Sequence, residues 1–280
     1  MAFPAITSPR NEKVKATVKL RRRKHRGKQG RTLIDGAREL SRALVAGVNI
    51  VEIYFCPKLC DTSESRRLLE QLEELAMDVY EVTENVFKQL AFGERAEGLL
   101  AVAIPPDLGL EDLSLPENPL VAVVEGIEKP GNLGAVVRSA DGAGISAVVV
   151  ADQVTDLYNP NAIRASLGTV FSVPVCTASS EEVLHWLQKN ELAIFAAATN
   201  GKDSYVDVDF RIPAAIVLGS EATGLSTVWD GTKIRSLRLP MQGVADSLNI
   251  SSAAAVLFYE AQRQRLQKPM EPKLKQIQSA

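Results

Sequence analysis

The chain has 280 residues, 46% hydrophobic and 24% charged, with a formal net charge of −2; this is the composition of an ordinary globular protein long enough for two domains. No apolar run approaches the roughly 20 residues of a membrane span, and Met1–Ile6 is too short for a signal-peptide core, so the expected location is cytoplasmic with no membrane partner. Three cysteines, Cys56, Cys60 and Cys176, have no histidine near them, which argues against a disulfide framework or a metal site.

The charge is uneven. Between Arg10 and Arg31 lie eleven Lys or Arg and one acid, Glu12, a segment of net +10 that leaves −12 for the rest. A basic arm on an acidic body points to a polyanionic partner, with a solvated helix face as the plainer alternative. Ser8-Pro9 predicts a helix start with Ser8 as N-cap, a thin stripe of Val14 and Val18, and an end at Gly27–Gly30. A strand over Thr32–Ile34 follows, then a helix over Gly36–Ala46, a strand over Val48–Phe55 and a helix over Glu64–Leu75. Asp78–Val82 reads as a strand, Glu84–Leu90 as a helix and Leu99–Ile104 as a strand. This alternation describes a small α/β unit.

Four prolines frame residues 105–119, which show no period and are expected to be a linker. Alternation then resumes. Leu120–Glu125 is an apolar run of the kind covered on both faces, and Ala147–Ala151, Ala193–Ala197, Ala214–Leu218 and Ile234–Leu239 are further strands. Helices are expected at Leu133–Ala143, Pro160–Ser166, Ser180–Gln188 and Ser247–Arg265, giving an open parallel sheet with helices on both faces. The tail, 268–280, reads as disordered.

Three polar, glycine-bearing clusters each fall just past an expected strand: "KPGNLGAVVR", "LGSEATGLS" and "LPMQGVADSLNIS". Ligands of open α/β sheets bind beyond the carboxyl ends of strands, so one shared site is the economical reading. None of the clusters matches a dinucleotide or triphosphate glycine loop, which disfavours a nicotinamide oxidoreductase. Simpler roles exist residue by residue: Asp246 or Ser247 as cap of the last helix, Arg138 in an i,i+3 pair with Asp141, and Glu221 as a turn residue. His25 and His185 belong to no cluster, so histidine base catalysis is disfavoured.

Together the clusters resemble the SpoU/TrmH group of SPOUT RNA methyltransferases. Asn132, Gly134 and Arg138 match its first motif; Gly219, Glu221, Gly224 and Leu225 match its second; Leu239, Pro240, Met241 and Ser247–Ser251 match its third. "YNPNAIRASLG", Tyr158–Gly168, is similar to the family's intermediate segment, and residues 6–104 resemble, more weakly, the ribosomal-protein-like α/β unit that binds substrate in the ribosomal-RNA branch. Lys129 is a departure: relatives commonly carry Asp before the Pro-Gly.

The resemblance implies an α/β fold with a deep C-terminal trefoil knot and a homodimer with the last helix at its interface. The implied domains are 1–104 (basic arm plus substrate-binding unit), a linker at 105–119, and a methyltransferase domain over 120–267. The implied cofactor is S-adenosylmethionine, held by Leu218, Gly219, Leu239 and Leu248 with Thr199 and Met241 lining the pocket. The implied activity is methylation of a ribose 2′-hydroxyl, which restricts the substrate to RNA. Ribosomal RNA is expected because of the N-terminal unit; a transfer-RNA methyltransferase, an antibiotic-resistance methylase and an inactive RNA-binding assembly factor are the alternatives. Arg138, Asn132, Ser247, Asn249 and Glu221 are the expected catalytic set. A guanidinium does not readily lose a proton, so Arg138 is read as pairing with phosphate and the 2′-oxygen while phosphate or water takes the proton. Arg21, Arg22, Arg23, Lys24, Arg26, Lys28 and Arg31 are the expected RNA contacts.

Overall fold

The computed structural model of the chain describes residues 3–72, 77–92 and 97–266. Its first sheet holds β1 (Ala5–Ile6), β2 (Thr32–Asp35), β3 (Asn49–Phe55), β4 (Asp78–Val82) and β5 (Leu99–Ile104), in the order β1-β4-β3-β5-β2. The β1, β4 and β3 pairings are parallel, whereas β5 runs antiparallel to both β3 and β2. Helices α1 (Glu12–Lys19), α2 (Arg23–Gln29), α3 (Ala37–Val45), α4 (Ser63–Leu72) and α5 (Glu84–Leu90) accompany it. Residues 73–75 of the helix expected over Glu64–Leu75, and the tail 268–280, lie outside the described residues.

The expected single N-terminal helix is two helices. Its cap is Asn11, whose side chain accepts from the Lys13 amide, and not Ser8. The break at Leu20–Arg22 has a physical reason: Arg26 folds back and donates to the carbonyls of Leu20 and Arg21, each at 2.9 Å. β1 went unforeseen because two residues carry no period; the Pro4 carbonyl and the Glu81 amide dock it on β4.

The second sheet holds β6 (Leu120–Glu125), β7 (Ala147–Ala151), β8 (Val175–Ala178), β9 (Ala193–Ala197), β10 (Asp203–Ser204), β11 (Ala214–Leu218) and β12 (Ile234–Arg238). All pairings are parallel, in the order β10-β12-β9-β11-β6-β7-β8. Its helices are α6 (Pro130–Ala143), α7 (Pro160–Ala165), α8 (Ser180–Lys189) and α9 (Ile250–Leu266). Along β6, Leu120, Ala122 and Val124 join the apolar layer under α6 and α9, while Val121 and Val123 join the layer under α8. β11 divides the same way, which is why neither strand alternates in sequence. Between the sheets, residues 105–119 hold one 3-10 turn, Leu110–Asp112, and Leu110, Leu113 and Leu115 rest on the α8-side layer.

The two sheets share one apolar cluster, which runs from Ile34, Leu40 and Ile53 through Tyr158 and Phe171 to Leu133 and Val137. Residues 154–168 form the seam. The Arg26 Nε donates to Asp156 at 2.7 Å, Arg23 to the Val154 carbonyl at 2.7 Å, and Thr32 Oγ1 to the Tyr158 carbonyl at 2.6 Å. Gly168, at φ +81°, lets α3 approach so closely that a Cβ would lie 2.9 Å from the Glu39 Cα.

Gly134 sets the spacing of α6 on α7. A Cβ there would sit 2.4 Å from the Ala162 carbonyl oxygen and 2.7 Å from the Ala165 Cβ. The Gly134→Ala variant is expected to lose about 1–3 kcal/mol by forcing the helices apart, read as a lower urea midpoint at unchanged m.

Candidate functional site

β12, β9, β11 and β6 lie side by side, and the loops leaving their carboxyl ends meet. The loop after β11 closes on itself: Ser220 donates its amide to the Gly224 carbonyl at 3.1 Å, and Gly224 returns its amide to the Ser220 carbonyl at 2.9 Å. A Cβ at Gly219 would lie 2.3 Å from the Gly224 carbonyl carbon, and Gly224 has φ +69°, so both positions demand glycine. This turn lifts Glu221 to its tip. The loop after β9 crosses β12 equally closely: a Cβ at Gly201 would lie 2.3 Å from the Leu237 carbonyl carbon.

Glu221 joins the three motifs. Its Oε1 accepts from Asn132 Nδ2 at 2.9 Å, from Asn249 Nδ2 at 2.6 Å and from the Ile250 amide at 3.4 Å. Asn249 also donates to Asn132 Oδ1 at 3.4 Å. Asn249 and not Asp246 or Ser247 caps α9: its Oδ1 accepts from the Ser251 amide at 2.9 Å and hydroxyl at 2.7 Å. That is why α9 begins at Ile250 and not at Ser247. Glu221 is therefore more than a turn residue, and Asn249 caps and crosslinks at once.

Beside this junction lies a cavity of about 620 Å³. Thr199, Leu218, Gly219, Leu239, Met241 and Leu248 all line it, as do Glu221 and Ser247. Its wall also includes Trp229, Asp230 and Leu257, which carried no strand-end motif in the sequence. Asn132 and Glu221 line a second, adjoining cavity of about 190 Å³. Arg138 lines neither cavity; it is exposed on α6, and among the described residues it has no ion pair with Asp141 or any other acid.

The basic arm is not uniformly available. Arg26 is buried at 5% exposure and committed to Asp156 and two carbonyls, which corrects its expected role as an RNA contact. Arg21 is half-buried and donates to the carbonyls of Gln89 and Ala91. Arg22, Arg23, Lys24 and Lys28 are exposed, and Arg31 is half-buried.

Glu125, at the end of β6, is a site residue that motif reasoning passed over. It is 5% exposed. It accepts from Ser180 Oγ at 2.6 Å, the Ser226 amide and hydroxyl at 2.7 Å each, and Trp229 Nε1 at 2.9 Å. Burial alone would push its carboxyl up; the bonds from Ser180, Ser226 and Trp229 outweigh that and hold it below the ordinary 4.5. Glu125 thereby pins the far end of the loop whose tip is Glu221. The available signal was an acid closing a run of five apolar residues, Leu120–Val124.

An all-parallel sheet whose strand-end loops enclose a cavity of this size and bring three asparagine- and glutamate-bearing motifs to its edge is the architecture of a small-ligand-binding α/β enzyme. The SpoU rRNA methylase family matches residues 119–259, and the MRM3-like substrate-binding domain matches residues 11–101. The chain belongs to the SpoU rRNA methylase family. It is 31% identical over 255 residues to the 23S rRNA (uridine(2479)-2′-O)-methyltransferase of Streptomyces viridochromogenes, covering 87% of this chain and 86% of that one. The crystal structure of an RNA 2′-O ribose methyltransferase superposes with a TM-score of 0.82 at 42% identity, over 94% of this chain and all of the other, 100%. An AdoMet-bound rRNA methyltransferase from Sinorhizobium meliloti superposes with a TM-score of 0.85 at 25% identity, over 95% and 99% of the two chains.

Replacing Glu125 by Gln is expected to lower stability at neutral pH by about 1.5–3 kcal/mol, the scale of hydrogen bonds to a charged group. The folded protein holds this carboxyl below its unfolded value, so its contribution is complete above about 4.5 and is lost as pH falls through the lower folded value. Urea unfolding of both proteins across that window checks it: the gap between them narrows on acidification.

Proposed function

We propose that this protein transfers a methyl group from S-adenosylmethionine to a ribose 2′-hydroxyl of ribosomal RNA. The observation that carries the reading is the junction at Glu221, where the first turn of α6 meets the loops after β11 and β12 at the edge of the 620 Å³ cavity. The cavity suits the cofactor by size and by lining: leucines and the glycine turn after β11 offer apolar surface and close backbone, with Thr199, Ser247 and Asp230 as polar edges. S-adenosylmethionine supplies an electrophilic methyl on a sulfonium leaving group. The protein's task is then to position the ribose and help its hydroxyl lose a proton.

Arg138 has no partner among the described residues to surrender, so its guanidinium is available to a phosphate and a 2′-oxygen. Its planar fork stabilises alkoxide charge as it develops, while phosphate or water accepts the proton. Glu221 braces Asn132 and Asn249, and with Ser247 these orient the sugar. Residues 1–104 act as the RNA-binding unit, with Arg22, Arg23, Lys24, Lys28 and Arg31 supplying salt-sensitive attraction; residues 105–119 link it to the catalytic unit, 120–267. α9 passes through the loop after β11 as a trefoil knot, a reading supported by the bonds from Asn249 and the Ile250 amide to Glu221. The protein works in the cytoplasm as a homodimer through α9, where Val256 and Tyr259 are 37% and 50% exposed.

Calorimetry should detect S-adenosylmethionine binding; its absence would favour an RNA-binding assembly factor instead. With Arg138→Lys, methyl incorporation into 23S rRNA transcripts should fall about 10²–10³-fold with cofactor affinity unchanged; near-wild-type turnover would remove the need for the planar contact. Replacing Arg22, Lys24 and Lys28 together by Gln should flatten the salt dependence of RNA binding, each lost phosphate contact reducing the slope by about 0.7–0.9. Arg26→Met should instead cost about 1.5–3 kcal/mol of stability with that slope unchanged.

A further inference from the structure

We propose that Lys129 is an RNA-binding residue that exchanges Glu221 for a phosphate next to the target ribose. This rests on the function proposed above. Lys129 Nζ lies 3.3 Å from Glu221 Oε2, the oxygen that the two asparagines leave open. It also lines the 190 Å³ cavity that adjoins Asn132 and Glu221. Two acids, Glu128 and Glu221, line that cavity, and among the described residues Lys129 is its only cation. A polyanion approaching Asn132 meets those acids beside it, and the Lys129 ammonium offsets their repulsion.

The ion pair is built to be exchanged. Lys129 is 71% exposed, and a pair so open to water is weakly held and strongly screened. Releasing it does not orphan Glu221, because Oε1 keeps the bonds from Asn132, Asn249 and the Ile250 amide. The junction therefore stands while the ammonium swings to a phosphate. In the unliganded protein the same ammonium shields Glu221. In the complex it lets one phosphate sit near a carboxylate that would otherwise repel it. The contact is electrostatic and carries no base preference.

The test compares wild-type protein with Lys129→Met, Lys129→Arg and, as a distant surface control, Lys189→Gln. RNA affinity is measured on an in vitro-transcribed 23S rRNA across a potassium chloride series, and S-adenosylmethionine affinity by calorimetry. Lys129→Met should weaken RNA binding roughly three- to tenfold at low salt and flatten the salt slope by about 0.7–0.9. Lys129→Arg should restore the slope, Lys189→Gln should not alter it, and cofactor affinity should be the same throughout. An unchanged slope in Lys129→Met overturns the proposal, as does a loss of cofactor affinity, which would assign the ammonium to the cofactor's carboxylate. If Lys129→Met does not fold, Lys129→Gln takes its place with the same readings. Wild-type protein that binds neither cofactor nor RNA would overturn the proposed function itself, a result distinct from a wild-type protein that binds both with a slope insensitive to position 129.

Discussion

One carboxylate oxygen, Oε1 of Glu221, sits where two loops meet the first turn of α6. Its donors come from positions 89 residues upstream and 28 residues downstream, so no local preference brings them together. The segments carrying Glu221 and Asn249 are irregular and exposed, and separately each would pay its ordering entropy for little return. A charged acceptor shared by two carboxamides and a backbone amide couples them, since hydrogen bonds to an ionised group are shorter and stronger than neutral ones. The glycines of the turn after β11 serve this geometry: a Cβ at 219 would strike the Gly224 carbonyl, and 224 takes a left-handed backbone at φ +69°.

The same loop is held at its other end by Glu125. There the environment is opposite, buried and dry, and the carboxylate is satisfied by two serines and an indole N–H. Two acids thus bracket the segment from Gly219 to Trp229, one at a wet tip and one in the core. Leu225 and Trp229, between and beside them, form cavity wall. A wall built from a loop needs both ends fixed, because backbone that drifts by an ångström changes what fits.

Much of this was legible in the chain. Leu120–Glu125, Ala147–Ala151, Ala193–Ala197 and Ala214–Leu218 announce themselves because burial on both faces leaves no polar alternation. The motif residues stood out because glycine and asparagine cluster at strand ends only where backbone must turn sharply. What escaped depended on partners remote in sequence. β1 and β10 are two-residue edges without a period. Arg26 counts as one more cation in a basic run, yet its partner Asp156 is 130 residues away. Counting charges gives the sign of a surface and not which of its members face inward. Lys129 was visible as an oddity before a proline, but its pairing with Glu221 required the turn after β11 to be folded.

The seam at 154–168 has a geometric consequence. With Arg26 on Asp156, Thr32 on the Tyr158 carbonyl and one apolar cluster running through both sheets, the N-terminal unit cannot pivot freely on its neighbour. On the function proposed here, the molecule behaves as a calliper with fixed jaws. The stretch of folded RNA gripped by one jaw and the sugar presented to the other must lie at a set separation, and a nucleotide is selected by where it falls in three dimensions before any base is read.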